Sequence, residues 1–282
     1  IEYSYVIESS YAVIDNIILQ YDIPILNIDV ALINERYRYE LNLNPRATYI
    51  PKIEKTEGKR SYTTTTKTRS GIYVTSTEYE RRTYDRKIKI TSIKGSNVPP
   101  LISEPMAGNI NNYRSEIIVE LVKATKDVNG GLALNDWETI TNSIMLNKNF
   151  GNQLKTTVFN QDVESTIKKI KTDLEKMKFI FHFVKQKVKW NGKYGKYTRN
   201  GVEEAYKIGS GDVAEINLLL TSMLKSAGLE AYPVLVSTKN NGIPFYPTKD
   251  GFNYVIAGVK KGNETYLLDA TEKYTAINIL PN

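Results

Sequence analysis

The sequence predicts an α+β chain, with an all-β N-terminal part and a C-terminal part in which one apolar helix precedes three antiparallel strands. Three observations carry this expectation. Apolar and polar residues alternate with period two from Ile1 to about Lys94, an apolar stripe of helical period runs from Ile167 to Val188, and Gly211-Asp212 opens a second apolar helix followed by three short strand patterns.

The N-terminal alternation is clearest in Glu35 to Leu43, Ser61 to Thr68, Ile72 to Glu80 and Arg86 to Ile93, and Ile1, Tyr3, Tyr5 and Ile7 open the chain in the same pattern. These segments are rich in Tyr, Thr, Ile and Val and are punctuated by Pro24, Pro45, Pro51 and Gly71, as expected of antiparallel strands with one wet face. Gly95 to Asn109 holds three prolines and reads as a crossing loop, and Tyr113 to Val122 reads as one more strand. Because the sequence opens on Ile1 in mid-pattern, further N-terminal sequence is expected.

Asn129 to Gly131 reads as a turn, and Asn135-Asp136-Trp137-Glu138 has the spacing of a capping box at the head of a short helix. Ile167, Ile170, Leu174, Met177, Phe181, Val184 and Val188 then follow at alternating intervals of 3 and 4, which puts all of them on one helical stripe. Thr172 with Glu175 is a second capping box inside this region, so a break near Lys171 is expected. Residues 155–200 hold 12 Lys or Arg against 4 Asp or Glu, mostly between the stripe positions, where an amphipathic helix keeps its solvated face. No nucleic-acid motif accompanies these charges, and no nucleic-acid partner is expected.

Asp212 with Glu215 forms a third capping box, ahead of Ile216, Leu219, Leu220, Met223, Leu224 and Ala227 at helical spacing, and Gly228 supplies the stop. Ala231 to Ser237, Phe252 to Val259 and Thr265 to Asp269 are the three strands, against one face of which the helix should pack.

Composition removes several chemistries. The 282 residues include one His and no Cys, so disulfides, Cys-ligated zinc, iron–sulfur clusters, thiol nucleophiles and any site needing two imidazoles are excluded. The net charge is +7, and no apolar run reaches the roughly 18 residues of a membrane-spanning helix. No metal site and no cofactor are expected; Asp212, Glu215 and Asp269 do not follow the spacing of a calcium loop.

Residues of about 160 to 275 resemble the transglutaminase-like domain of papain-type thiol enzymes. The resemblance rests on Trp190-Asn191-Gly192-Lys193-Tyr194-Gly195, on Gly211-Asp212, on the run from Ala227 to Val234, on Phe252-Asn253-Tyr254-Val255-Ile256 and on Tyr266-Leu267-Leu268-Asp269-Ala270-Thr271. The preceding β region is similar to the uncharacterised domain that accompanies this unit in many bacterial envelope-associated proteins.

In that family the residue after Gly-Asp is a nucleophilic Cys at the positive end of a helix, a His on the second strand deprotonates it, and an Asp on the third strand orients the His. The resemblance puts Val213, Tyr254 and Asp269 at these three positions. Valine cannot attack a carbonyl, and a phenol with a pKa near 10 is a poor base at neutral pH. Loss of the nucleophile alone costs on the order of 10⁶ in turnover in the serine-protease reference case. His182 reads as a boundary residue of the stripe and Ser210 as turn or cap chemistry.

The expected organisation is a sandwich-like β domain over residues 1–125, incomplete at its N-terminus, a helical linker over 126–160, and a transglutaminase-like helix-plus-sheet domain over 161–282. The expected function is that of a catalytically inactive binding or scaffolding module in a larger bacterial envelope, periplasmic or secreted protein. The alternative is a hydrolase or transferase using non-thiol residues of the same cleft. Trp190, Tyr194, Asp212, Tyr254 and Asp269 are the candidate cleft residues, with Tyr194 and Tyr197 on a surface loop and a peptide or glycan as ligand.

Overall fold

The computed structural model describes residues 15–34, 38–70, 76–105, 108–122 and 136–280. The opening alternation at Ile1 to Ile7, the turn at 129–131 and Asn135 lie outside these residues. The chain divides into two compact units, residues 1–134 and 135–282.

The first unit contains strands β1 (Ile17–Ile18), β2 (Ile25–Asn34), β3 (Arg38–Leu43), β4 (Lys52–Ser70), β5 (Ser76–Val98) and β6 (Glu116–Val122). They form two antiparallel sheets, ordered β1-β6-β3 and β2-β5-β4. The small core between them explains why both sheets alternate: Leu19, Ile117 and Val119 come from or beside the first sheet and Ile93 from the second, with Ile28, Val30, Leu41 and Leu43 packed around them. Buried Gln20 serves as a polar tie, its amide donating to the Pro99 carbonyl while its oxygen accepts from the Ser115 N–H and the Thr48 hydroxyl. The segments 61–68 and 86–93, which alternate separately in the sequence, belong to two strands of 19 and 23 residues paired along their length. The Thr-rich stretch has too little apolar alternation to reveal that continuity.

The second unit contains α1 (Trp137–Met145), α2 (Asn160–Ile167), α3 (Asp173–Lys187), β7 (Lys189–Trp190), α4 (Val202–Ile208), β8 (Ser210–Gly211), α5 (Val213–Ser226), β9 (Glu230–Val236), β10 (Tyr254–Lys261) and β11 (Glu264–Leu268). The N-cap of α1 is Asp136, which accepts from the Thr139 N–H, so Glu138 is not the partner that the capping-box spacing suggested. Thr172 caps α3, accepting from the Glu175 N–H, and separates α3 from α2. Ile140, Ile144, Phe150 and Phe159, drawn from the stretch expected as a helical linker, are buried in the same core as α3 and α5.

Every residue of α5 from Val213 to Leu224 is buried, and a helix that is apolar around most of its circumference must have neighbours on all sides. It packs on β9 and β10 on one side and against α3 and α4 on others. The sheet is antiparallel in the order β11-β10-β9, and central β10 is buried from Tyr254 to Val259. Each fully buried Leu or Ile of this layer contributes roughly 1.5–3 kcal/mol. The polar side chains inside α5 are satisfied: Thr221 donates to the Asn217 carbonyl, and Ser222 sits 3.1 Å from the carbonyls of both Leu154 and Thr156.

Candidate functional site

The head of α5 is fixed by local chemistry. Asp212 is its N-cap, accepting from the Glu215 N–H at 2.8 Å, while Glu215 Oε2 accepts from the Asp212 N–H at 2.9 Å. The other oxygen of Glu215 accepts from the Asn200 and Gly201 N–H groups, so the carboxylate also fastens the loop before α4. Gly211 is closely packed: a Cβ there would lie 3.0 Å from Ala205 Cβ and 3.1 Å from Glu215 Cβ, so a larger residue would have to displace α4 or the head of α5 by a few tenths of an ångström. Asp212 is buried; its second oxygen has no hydrogen bond and lies 3.9 Å from Arg199 Nε. Burial above all pushes its carboxyl upward from the usual range, against the Glu215 amide, which favours the ionised form.

Val213, the first residue of α5, has 0% of its surface exposed. Its N–H lies 3.3 Å from the carbonyl oxygen of Lys193, and the Trp190 indole N–H donates to that same oxygen at 3.1 Å. Two N–H donors at a helix head can receive the oxyanion of an acyl-transfer intermediate. Here an internal carbonyl takes both. The loop is set for this by parallel pairing of β7 with β8 and by an Asx turn in which the Asn191 oxygen accepts from the Lys193 N–H.

Asp269 directly follows β11 and is fully buried. Its Oδ1 accepts from Asn217 Nδ2 at 3.0 Å, the Thr271 N–H at 3.0 Å and the Thr271 hydroxyl at 2.7 Å; its Oδ2 accepts from the Tyr254 hydroxyl at 2.7 Å. Each hydroxyl carries one proton, and both are directed at the carboxylate, so the 3.0 Å approach of Tyr254 to Thr271 is a packing contact between two oxygens. Burial, then the Asp269 charge, drives the Tyr254 phenol far above its ordinary pKa of about 10, so it stays protonated. It is a donor here and has no capacity as a base.

Asn217 and Thr271 complete this cluster, and the sequence reading did not single them out. Asn217 donates to the Val255 carbonyl at 3.0 Å and accepts from the Ala270 N–H at 3.0 Å, tying α5 to β10 and to the chain after β11. The signal was a single amide inside the run Ile216-Asn217-Leu218-Leu219-Leu220, because a buried polar group in an apolar helix must have a fixed partner.

Aromatic rings connect the cluster to solvent. Tyr194 meets Trp190 edge-on at 5.2 Å and Tyr254 at 5.9 Å between centroids. Trp190 is half-buried and Tyr194 is 55% exposed. Tyr197, expected on the surface, is instead half-buried, its ring packed on the main core and edge-on against Phe150, and the adjacent Lys196 also turns inward, donating to the carbonyls of Lys249 and Phe252. His182 is on the exposed face of α3, and Ser210 is exposed in β8. A cavity of about 290 Å³ lies at the far end of α5, lined by Phe159, Val163, Ile167, Lys176, Ser226 and Ala227 among others. At 1.5 Å per residue that is roughly 20 Å from Val213, so the cavity belongs to a different place. Among the described residues, no group of three or more His, Asp or Glu is arranged to hold a metal.

The family model of the transglutaminase-like superfamily matches residues 161–266, spanning α2 to β11. The second unit carries a transglutaminase-like domain. Two solved structures are similar to the chain. The first, a "putative protease" from Parabacteroides distasonis, is 12% identical with a TM-score of 0.52, over 93% of this chain and 44% of that one. The chain therefore spans less than half the length of that relative, and the likeness concerns the fold alone. The second, a "putative cysteine protease" from Cytophaga hutchinsonii, is 10% identical over 87% of this chain and 79% of that one, with a TM-score of 0.32. A search of curated proteins returns no match. Asp269 and Thr271 lie just beyond the matched range of the transglutaminase-like domain, while Val213, Asn217 and Tyr254 lie inside it.

Proposed function

We propose that this chain is a catalytically inactive transglutaminase-like protein that works as a binding or scaffolding module within a larger bacterial envelope or secreted protein. The observation that carries the reading is the state of Asp269, whose carboxylate accepts four hydrogen bonds from Asn217, Thr271 and Tyr254 and has no imidazole to orient. Two further facts support it. Val213 supplies no nucleophile, and the donors nearest to it are occupied by the Lys193 carbonyl.

The ligand class we propose is an extended peptide or a glycan met by the Tyr194 and Trp190 rings, since exposed, amphipathic aromatic faces suit both. The envelope or exterior is proposed from the resemblance of the β-rich unit to the domain that accompanies such modules there. Incubation of the purified chain with peptide-amide and glutamine-donor substrates should release no ammonia and no cleaved product. Turnover above background that is lost on Asp269→Ala, with folding retained, would overturn the assignment and favour non-thiol catalysis.

A further inference from the structure

The β4–β5 ribbon of the first unit extends well past its third strand. β2 pairs with β5 from Asn34 opposite Lys89 to Ile25 opposite Val98, whereas β4 pairs with β5 from Lys52 opposite Lys94 out to Ser70 opposite Ser76. From Ile88 toward Ser76, therefore, β5 has β4 on one side and, among the described residues, no strand on the other. The N–H and C=O groups along that edge lie in the same lane that β2 fills further down, which makes them a template for another strand.

The ribbon is also strongly basic. The nine-residue stretches Lys59 to Lys67 and Tyr79 to Lys87, paired with each other, hold seven Lys or Arg and two acidic residues. Both acidic residues are engaged within the ribbon, Glu80 with Arg82 at 2.7 Å and Asp85 with the Ser61 hydroxyl at 2.6 Å. Like charges face each other where Lys59 lies opposite Lys87. Such a pair destabilises a ladder, and an anionic neighbour relieves it. The Arg86 guanidinium lies 5.5 and 5.4 Å from the centroids of Tyr62 and Tyr84, whose rings stack at 5.9 Å, so one cation of the cluster is held over a stacked pair.

We infer that the open lane of β5 beside Arg81, Arg86 and Lys87 docks an extended acidic peptide of a partner protein, which adds to the sheet as a further strand. The edge supplies main-chain hydrogen bonds and the cations select acidic side chains, because successive residues of a strand point to opposite faces. A second copy of the ribbon would bring cation against cation and is disfavoured. A nucleic acid or acidic glycan would satisfy the charge but leave the edge amides unused. This surface is separate from the aromatic site of the second unit and does not depend on its assignment.

Nine residues of strand span roughly 30 Å, so a probe of about ten residues suffices. We would titrate the full chain into a fluorescein-labelled peptide of alternating Glu and Val, alongside the same peptide N-methylated at alternate backbone nitrogens and its Lys counterpart. The expected result is saturable binding of the Glu peptide, weakened by about ten-fold or more by N-methylation and by Arg81→Glu/Lys87→Glu, with no binding of the Lys peptide. These positions are exposed, so the variant should keep its circular dichroism spectrum, and Arg81→Gln/Lys87→Gln should show an intermediate loss. No binding, equal binding of the N-methylated peptide, or more efficient displacement by heparin or an oligonucleotide would each overturn the inference. So would reversible dimerisation of the unliganded chain in sedimentation that the charge reversal abolishes.

Discussion

Replacing Tyr254 by phenylalanine keeps the ring that faces Tyr194 at 5.9 Å and deletes one atom, the hydroxyl that donates to Asp269 Oδ2 at 2.7 Å. Oδ1 retains its three donors, and Oδ2 is left in a fully buried carboxylate with none. A hydrogen bond to a charged group contributes about 1.5–3 kcal/mol, so a loss near 2 kcal/mol is expected, or roughly 5 °C in Tm for a unit of this size. The pH dependence sharpens the test. The native phenol is held protonated far above its ordinary range, whereas the unfolded phenol ionises near pH 10. Above that pH the native state binds the extra proton, so wild-type stability from this group falls by about 1.4 kcal/mol per pH unit, while the phenylalanine variant has no such loss. The wild-type advantage should therefore be complete below pH 9 and largely gone by about pH 11.5. Urea titrations followed by tryptophan fluorescence across this range measure both quantities, and other titrating groups cancel in the difference. A variant that unfolds at the wild-type midpoint at neutral pH would refute the placement of the hydroxyl, and a pH-independent difference would refute its raised pKa.

Val213→Cys/Tyr254→His places a thiol at the head of α5 and an imidazole near Asp269; because Val213 is fully buried, the pairing is read from thiolate ultraviolet absorbance, with a thiolate expected at pH 7, below the ordinary thiol pKa of about 8.5, and a thiol that stays protonated up to that pKa would show that helix and strand are not aligned as a papain-type pair. Asn217→Leu preserves volume but strands the Ala270 N–H, the Val255 carbonyl and part of the Asp269 carboxylate, so a loss of about 2–4 kcal/mol is expected in denaturant titrations, and a change under about 0.5 kcal/mol would contradict the network. Gly151→Ala puts a Cβ 1.7 Å from the Met145 carbonyl oxygen, which the backbone must move to relieve; a loss above about 3 kcal/mol should appear as a lowered Tm, and an unchanged Tm would show the turn to be adaptable.

Elements announced by their own ends were legible in the sequence. Thr172 with Glu175 and Asp212 with Glu215 mark the starts of α3 and α5, and Gly228, with φ of +83°, marks the stop beyond α5. The positions of Tyr254 and Asp269 could be reached from motif order because each borders a strand whose apolar pattern is strong. What escaped depends on partners distant in sequence. Asn217 and Ala270 are 53 residues apart, and no local pattern reports their hydrogen bond. Helix α4 is seven residues between Gly201 and Gly209, too short for a periodic signal. The closure of the Lys193 carbonyl over the Trp190 and Val213 N–H groups is a property of backbone path, to which side-chain identity gives no direct clue.

The complete burial of α5 bears on how the chain is made. Synthesis delivers α5 well before β10 and β11, so for some forty residues of elongation an almost wholly apolar helix has no sheet to lie on. Its inward amide, Asn217, has no partner until Val255 and then Asp269 and Ala270 have emerged from the ribosome. A nascent chain stalled before β10 would expose the surface most prone to aggregate, and emergence of Asp269 and Ala270, just after β11, would be the step that lets the unit close.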